Sequence, residues 1–192
     1  MFERFTKDAR RVVQAAVGQA ERAGDSTVRE DHLLLALLDD GGARGTAALT
    51  ALGVTGRRAS IERALADAQR RGGLSLSDTE ALAGLGIDVA EVVQRVEEVH
   101  GEGALAGCGK PGRPWPFGVG SAHRPFTPGS KQLLARTLRI AVGRGDKTID
   151  SEHLLLALAG QPGVVSDVLA EHGATTAEIT RVLAPVSGKA TG

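Results

Sequence analysis

An internal duplication constrains this chain of 192 residues more than any other feature. The segment Asp31-His32-Leu33-Leu34-Leu35-Ala36-Leu37 returns as Glu152-His153-Leu154-Leu155-Leu156-Ala157-Leu158, so six identical residues follow an acidic one at an offset of 153 − 32 = 121. The same offset aligns Phe5-Thr6 with Phe126-Thr127 and Gly24-Asp25 with Gly145-Asp146. The sequence therefore predicts two copies of one structural unit.

The apolar periodicity of both copies is helical. Residues spaced i, i+3, i+4 and i+7 form a stripe in the first helix of each copy: Ala9, Val12, Val13, Ala16, Val17 and Ala20, then Leu133, Leu134, Thr137, Leu138 and Ala141. Thr6 and Thr127 stand where a hydroxyl caps such a helix, and Pro128 suits the first helical position. Further helices are predicted near 30–39, 45–52 and from Ile61, and near 151–159, 163–172 and from Ile179. We expect an all-α fold of two four-helix repeats.

The intervening segment has a different character. We place repeat 1 at 1–69, an insert or linker at 70–124, repeat 2 at 125–186 and a flexible tail at 187–192. Ser77-Asp78-Thr79-Glu80 predicts a capping box for a short helix closed by Gly84, and Asp88 begins a second helix with a valine stripe. After His100, glycine and proline dominate, which predicts a long loop.

The composition of the chain indicates which kinds of partner and which cellular compartment to expect. Lys+Arg and Asp+Glu both number 23, so the formal net charge is zero, and without a basic run nucleic acid is not an expected partner. Leu33 to Leu38, the longest apolar run, is too short to span a bilayer, and the N-terminus lacks an apolar targeting segment. The single cysteine, Cys108, excludes an intrachain disulfide. We expect a cytoplasmic monomer that contacts no membrane.

Three segments together resemble the Clp N-terminal domain, the duplicated helical module at the front of the ClpA and ClpC unfoldases. They are the opening Met1-Phe2-Glu3-Arg4-Phe5-Thr6, the repeated acidic-His-Leu-Leu-Leu-Ala-Leu segment and Phe126-Thr127-Pro128. The likeness covers about 5–65 and 125–184. It implies two pseudo-symmetric four-helix Clp N repeats, here separated by a helical, Gly/Pro-rich insert. The chain contains no phosphate-binding G-x-x-x-x-G-K-[ST] loop, and its long linker resembles that of free-standing Clp N-domain proteins of actinobacteria.

The resemblance implies a non-catalytic protein- or peptide-binding module of the Clp protease system, without a cofactor. Such a module acts as an adaptor, a decoy or a sequestering protein. Its expected partners are peptides, unfolded or tagged proteins, cyclic-peptide antibiotics and the ClpC/ClpP machinery.

The resemblance also implies two kinds of ligand site. Thr6 with Asp31, and Thr127 with Glu152, correspond to pockets that hold phosphorylated arginine in some ClpC N-domains; the alternative is that these residues only cap helices and complement their dipoles. Phe2, Phe126 and Lys131 correspond to the face that receives cyclic-peptide antibiotics in mycobacterial relatives. The alternative there is that Phe5 and Phe126 are matched core anchors.

A hydrolase is the alternative from another functional class. It would use His32 and His153 with their neighbouring acids, or Cys108, and would bind a metal. Adjacent helical residues point about 100° apart, so we expect each acid and its histidine to diverge and each histidine to be packed with a satisfied ring nitrogen. His100, Cys108 and His123 match no zinc spacing. No metal site is predicted.

Overall fold

The computed structural model describes residues 2–101, 103–105 and 124–184. Repeat 1 comprises two short 3-10 helices (Phe2–Arg4 and Thr55–Arg57) and α1 to α4, the insert contributes α5 and α6, and repeat 2 comprises α7 to α10. The α-helices are α1 (Lys7–Ala23), α2 (Glu30–Asp39), α3 (Arg44–Ala51), α4 (Arg58–Arg70), α5 (Leu76–Gly84), α6 (Val89–His100), α7 (Pro128–Gly143), α8 (Ser151–Gly160), α9 (Val164–Glu171) and α10 (Thr176–Leu183). The all-α, duplicated architecture is confirmed.

The first helix of each repeat begins at a threonine cap. The Thr6 hydroxyl oxygen accepts a hydrogen bond from Ala9 N at 3.2 Å, and the Thr127 hydroxyl oxygen accepts one from Ser130 N at 3.1 Å. Pro128 occupies the first position of α7, where its missing N–H costs no helical bond. The stripes that follow are largely buried, as predicted, and form one continuous core with α2 and α8.

The second helix of each repeat forms the centre of the molecule. In α8, eight of ten residues are buried, and α2 is buried over most of its length. α1 packs on α2, α7 packs on α8, and α3 of repeat 1 also packs on α8. The two repeats therefore share a core instead of each enclosing its own.

Short backbone pairings cross between the repeats. Phe5 pairs in parallel with Ile149, and Val28 pairs in parallel with Phe126. In each pairing, the segment that enters the first helix of one repeat lies beside the segment that enters the second helix of the other. The cap of α1 is thereby placed at the start of α8, and the cap of α7 at the start of α2.

The insert departs from the prediction at its first helix. Ser75, not Ser77, caps α5: its hydroxyl accepts from Asp78 N at 3.1 Å, and the Asp78 carboxylate accepts from Ser75 N at 3.0 Å. This backbone hydrogen bond lowers the pKa of Asp78. The left-handed glycine after the helix is Gly86, with φ of 81°, while the predicted terminator Gly84 is still helical. The predicted box was wrong by two residues because Ser77 already lies in the first turn.

The second helix of the insert begins at Asp88, as predicted. Of its valine stripe only Val89 is buried, and Val92 and Val99 are 47% and 75% exposed. The predicted long loop lies largely outside the described residues, and the predicted tail lies wholly outside them.

The described helices were also compared with the requirements for crossing a membrane. Within that part of the chain, no single helix is both long and apolar enough. The pair α8 and α9, bent by 98° at its break, passes jointly by length and composition alone.

Candidate functional site

His32 of repeat 1 is held by both ring nitrogens. Its Nδ1 accepts from Arg29 N at 3.0 Å, so the ring proton is on Nε2, which donates to Asp25 Oδ2 at 3.0 Å. Only 2% of the residue is exposed, and this burial lowers the pKa of His32 below its usual 6.5, against the opposing attraction of Asp31 and Asp25. His32 is therefore an uncharged structural residue at neutral pH.

His153 of repeat 2 repeats this arrangement. Its Nδ1 accepts from Asp150 N at 2.9 Å, and its Nε2 donates to Asp146 Oδ2 at 2.9 Å. The prediction of packed histidines with satisfied ring nitrogens is confirmed. Sequence reasoning missed their aspartate partners, although Asp25 and Asp146 align at the repeat offset of 121 and each lies seven residues before its histidine.

Asp31, the acid before His32, is buried with its carboxylate fully engaged. Oδ1 accepts from His32 N at 2.9 Å, and Oδ2 accepts from the Arg29 guanidinium at 3.0 Å and from the Gln69 amide. The carboxylate lies 3.8 Å from His32 Nδ1, so the two side chains stay closer than predicted although the histidine uses other partners. Asp31 has no oxygen free for a ligand unless this network opens.

Glu152, the acid before His153, differs from Asp31. It is only 4% exposed, yet its Oε2 has no hydrogen bond among the described residues. Arg44 Nε approaches that oxygen to 3.3 Å from a side chain that is 65% exposed. The carboxylate also lies 3.9 Å from His153 Nε2. Burial of a carboxylate without full hydrogen bonding is unfavourable. A ligand that donates a hydrogen bond to Glu152 Oε2 would therefore be favoured at this position.

Position 29 of repeat 1 and its equivalent in repeat 2 carry opposite charges. The Arg29 guanidinium lies between Asp25 and Asp31, at 2.8 and 3.0 Å. The offset of 121 places Asp150 at the equivalent position. At this position repeat 1 therefore supplies a cation and repeat 2 a third carboxylate. The cations nearest the acids of repeat 2 are Arg44, 3.3 Å from Glu152, and Arg144, 3.7 Å from Asp146.

The cluster in repeat 2 has some geometry of a metal site. Ligand atoms of Asp146, Glu152 and His153 all lie within 4.8 Å of one another. The hydrogen bond from Asp150 N to Nδ1, however, leaves the ring proton on Nε2, so His153 has no lone pair to offer. The cluster suits hydrogen-bond donors better than a transition metal.

The two capping threonines meet acids from the opposite repeat. Thr6 donates to Asp150 Oδ1 at 3.3 Å, and Thr127 lies 3.4 Å from Glu30 Oε2. In the described part of the chain no hydrogen bond joins Thr6 to Asp31 or Thr127 to Glu152. The helix N-termini that the phospho-arginine hypothesis assigns to phosphate are thus already approached by carboxylates of this chain.

The predicted antibiotic-binding face is described only in part. Phe5 is buried at 3% and belongs to the core, whereas Phe126 is partly buried and packs against that core. Lys131 is exposed on α7. The Phe2 side chain lies outside the described residues, as do Cys108 and His123.

A cavity of about 310 Å³ opens between the repeats. It lies among the start of α2, the end of α4, the end of α8 and the start of α9. Its apolar wall is formed by Leu65, Leu105, Leu133, Leu158, Val164 and Val165. At one end stands the internally bonded group of Arg29, Asp31 and Gln69. No sequence pattern predicted this cavity, because its wall is assembled from four distant segments.

Comparison with known proteins places these features in a family. The model of the Clp repeat (R) N-terminal domain matches residues 4–98 and 125–191. A chloroplastic ClpA homolog of Brassica napus is 29% identical over 93% of this chain, and the chloroplastic chaperone protein ClpC of Pisum sativum is 29% identical over 99%. The chain spans only 15% and 16% of the length of these relatives.

Solved N-terminal domains show the same fold. The ClpD domain of Arabidopsis thaliana aligns with a TM-score of 0.51 and 18% identity over 95% of this chain and 93% of that one. The Hsp104 domain of Candida albicans aligns with a TM-score of 0.51 and 19% identity over 94% and 89%. With the family model matched across both repeats, this chain belongs to the Clp N-terminal domain family.

Proposed function

We propose that this chain is a non-catalytic, cytoplasmic module that binds unfolded or tagged polypeptides and peptide ligands for the Clp protease system. The observation that carries the proposal is the match of both repeats to the Clp N-terminal domain. The cavity between the repeats supplies a concave apolar surface of the kind that binds ligands.

Among the described residues, which do not include Cys108, the buried histidines offer little support for the hydrolase alternative. Both ring nitrogens of His32 and of His153 are engaged in structural hydrogen bonds. The ring nitrogens of His172 contact Val168 O and the Ser60 hydroxyl. A histidine so engaged is a poor general base, since accepting a proton requires breaking one of these bonds. Elemental analysis of the purified chain for stoichiometric metal tests the hydrolase directly.

The role within the Clp system is tested by a degradation assay. An adaptor accelerates degradation of an unfolded client by a purified ClpC–ClpP pair, whereas a decoy or sequestering protein slows it. Excess client relieves the inhibition by a sequestering protein, but it does not relieve that by a decoy that occupies the unfoldase. The same degradation rate with and without the chain, at concentrations above that of the unfoldase, contradicts all three roles.

A phospho-arginine reader is a second candidate, favoured by the incompletely bonded Glu152. A guanidinium has bidentate geometry for a carboxylate, and repeat 2 lacks the internal Arg29 that fills the equivalent place in repeat 1. The threonine at the start of α8, the helix that carries Glu152, is Thr6 and not Thr127, since Thr6 N donates to Ile149 O at 2.9 Å. We therefore assign any such binding to Glu152 with Thr6, and not to Asp31 at the start of α2.

Calorimetry with free phospho-arginine tests this candidate. Glu152→Gln, which keeps the size of the side chain, should abolish binding, and the matched change Asp31→Asn should leave it intact. Asp150→Asn should strengthen binding, because the carboxylate of Asp150 accepts from the Thr6 hydroxyl and competes with phosphate at the start of α1. Undiminished binding by Glu152→Gln rejects the candidate.

A further inference from the structure

Two equivalent helix–helix contacts join the repeats, and the helices approach each other more closely in one contact than in the other. The third helix of each repeat faces the start of the second helix of the other: α3 faces α8, and α9 faces α2. Over these third helices the repeat offset is 120, as Leu49 and Leu169 or Gly53 and Gly173 show. Gly45 of α3 therefore corresponds to Val165 of α9.

The contact between α3 and α8 is sealed. A Cβ placed on Gly45 would lie 2.8 Å from the carbonyl oxygen of Ser151, closer than real side chains allow. Gly45 N also donates to the Ser151 hydroxyl at 3.0 Å. Glycine in this position lets the two helices touch through their backbones.

The contact between α9 and α2 is open. Val165 replaces the glycine, and Glu30 stands at the position of Ser151, by the offset of 121. The Glu30 carboxylate turns to the start of α7, where Ser130 donates to it at 3.3 Å. No hydrogen bond equivalent to that of Gly45 joins these two helices in the described residues, and the 310 Å³ cavity lies between them. The cavity thus follows from substitutions at specific positions in the duplicated sequence.

The cavity has the size and surface to receive an apolar group. Leu133, Leu158 and Leu65 are 1 to 3% exposed and form its floor, with Val164 and Val165 on one side and Leu105 of the insert on another. An engineered apolar cavity of about 150 Å³ in another protein stays dry and binds benzene. A space twice as large accommodates an indole, a phenyl ring or a branched aliphatic side chain.

The polar end of the cavity favours an uncharged occupant. Asp31 is bonded to Arg29, Gln69 and its own helix, so it requires no cation from a ligand. An ammonium group entering the apolar wall would lose its hydration without gaining a partner. The charge of Arg29 is already paired with Asp25 and Asp31, while its buried Nε has no hydrogen-bond partner among the described residues and suits a neutral acceptor.

We propose that this cavity receives one large, uncharged apolar side chain, such as Trp, Phe or Leu, from a bound polypeptide. The inference rests on the proposed function and specifies how a client is recognised: by one anchoring residue held between α2 and α9. Val165 is the residue that keeps the anchor pocket open.

Methyl-detected NMR of the full chain tests the anchor pocket with defined probes. N-acetyl-L-tryptophanamide and the corresponding Phe and Leu amides should shift the methyl resonances of Leu133, Leu158 and Val164 saturably, while the Ala and Glu amides should not. If none of the three large probes causes a saturable shift, the inference is overturned. The same holds if another part of the chain already fills the cavity and thereby prevents binding.

A filling variant links the pocket to client binding. Val165→Trp should weaken probe binding at least tenfold and weaken binding of fluorescently labelled β-casein, an unfolded protein. Val142→Trp, the same change at a 57% exposed position of α7, is the matched control and should bind like the unmodified chain. Leu105→Asp, at the edge of the cavity and outside the core, provides a second variant should Val165→Trp fail to fold by circular dichroism.

The two proposals fail in different ways. β-Casein binding that is unaffected by Val165→Trp and Leu105→Asp overturns the anchor pocket and leaves the proposed function standing. Absence of β-casein binding by the unmodified chain counts against the proposed function, while the amide probes still decide whether the pocket binds apolar side chains.

Discussion

At the scale of single residues, small differences between equivalent positions control how the repeats meet. Gly45 permits backbone contact with Ser151, and Val165 at the equivalent position accompanies an open cavity. Arg29 neutralises the acids of repeat 1, and Asp150 adds a negative charge in repeat 2. Each pair of equivalent residues can be identified in the sequence once the offset is known. The effect of the difference on packing, however, depends on which helix lies opposite the residue in the fold.

Gly45→Ala tests the sealed contact. The added methyl group meets backbone atoms that cannot rotate away, so we expect a loss of about 1–3 kcal/mol in unfolding free energy. Gly18→Ala, in the interior of α1 with no atom within 4 Å, should instead stabilise the chain by about 0.5–1 kcal/mol. Denaturant unfolding measures both, and a Gly45→Ala variant as stable as the unmodified chain contradicts the contact.

His32 makes stability dependent on pH. Its pKa is lowered in the folded chain, so below about 6.5 the unfolded chain binds the proton more readily. The contribution of neutral His32 to the unfolding free energy is therefore present in full above that pH and is lost as the pH falls below it. Between pH 7.5 and 5.5, unfolding free energy should fall less steeply for His32→Asn than for the unmodified chain, while the exposed control His100→Asn should show the unmodified slope. Equal slopes for His32→Asn and the unmodified chain refute this role.

At the scale of elements, burial separates the repeats from the insert. α8 is buried at eight of ten residues, whereas in α6 only Val89 is buried. The valine stripe of α6 predicted the helix correctly but not its exposure, because periodicity reveals an apolar face and does not reveal whether another element covers it. The N-cap of α5 was predicted at the wrong serine for a related reason. Ser75 and Ser77 are both suitable N-cap residues, and the sequence alone does not show at which of them the helix begins.

Hydrogen exchange measured by mass spectrometry tests this difference. Local opening requires less free energy where few apolar side chains are buried, so amides of α5 and α6 should exchange well before those of α2 and α8. Equal protection of α6 and α8 is the contrary result.

At the scale of the whole molecule, the crossed pairings make each repeat depend on the other. Phe5 pairs with Ile149 and Val28 with Phe126, and α3 packs on α8. The sequence was sufficient to predict the duplication, the helix types and most helix bounds, since these follow from local periodicity and capping. The crossing and the cavity were not predicted, because they arise where distant segments of the chain meet. The aspartate partners of the histidines lie only seven residues away in sequence, and they were missed although the repeat offset aligns them.

Separation of the repeats tests their interdependence. A fragment of residues 1–69 loses the α8 surface that covers α3 and should show no cooperative thermal transition, while the full chain unfolds in one. A fragment that melts cooperatively with native helicity contradicts a shared core.

We propose that this member of the Clp N-terminal domain family binds unfolded polypeptide, and an equilibrium titration measures that binding. Fluorescence anisotropy of labelled β-casein is followed as the full chain is added, with the same β-casein unlabelled as competitor. We expect saturable binding that the unlabelled protein competes away. Anisotropy that stays unchanged, or rises without saturation or competition, contradicts it.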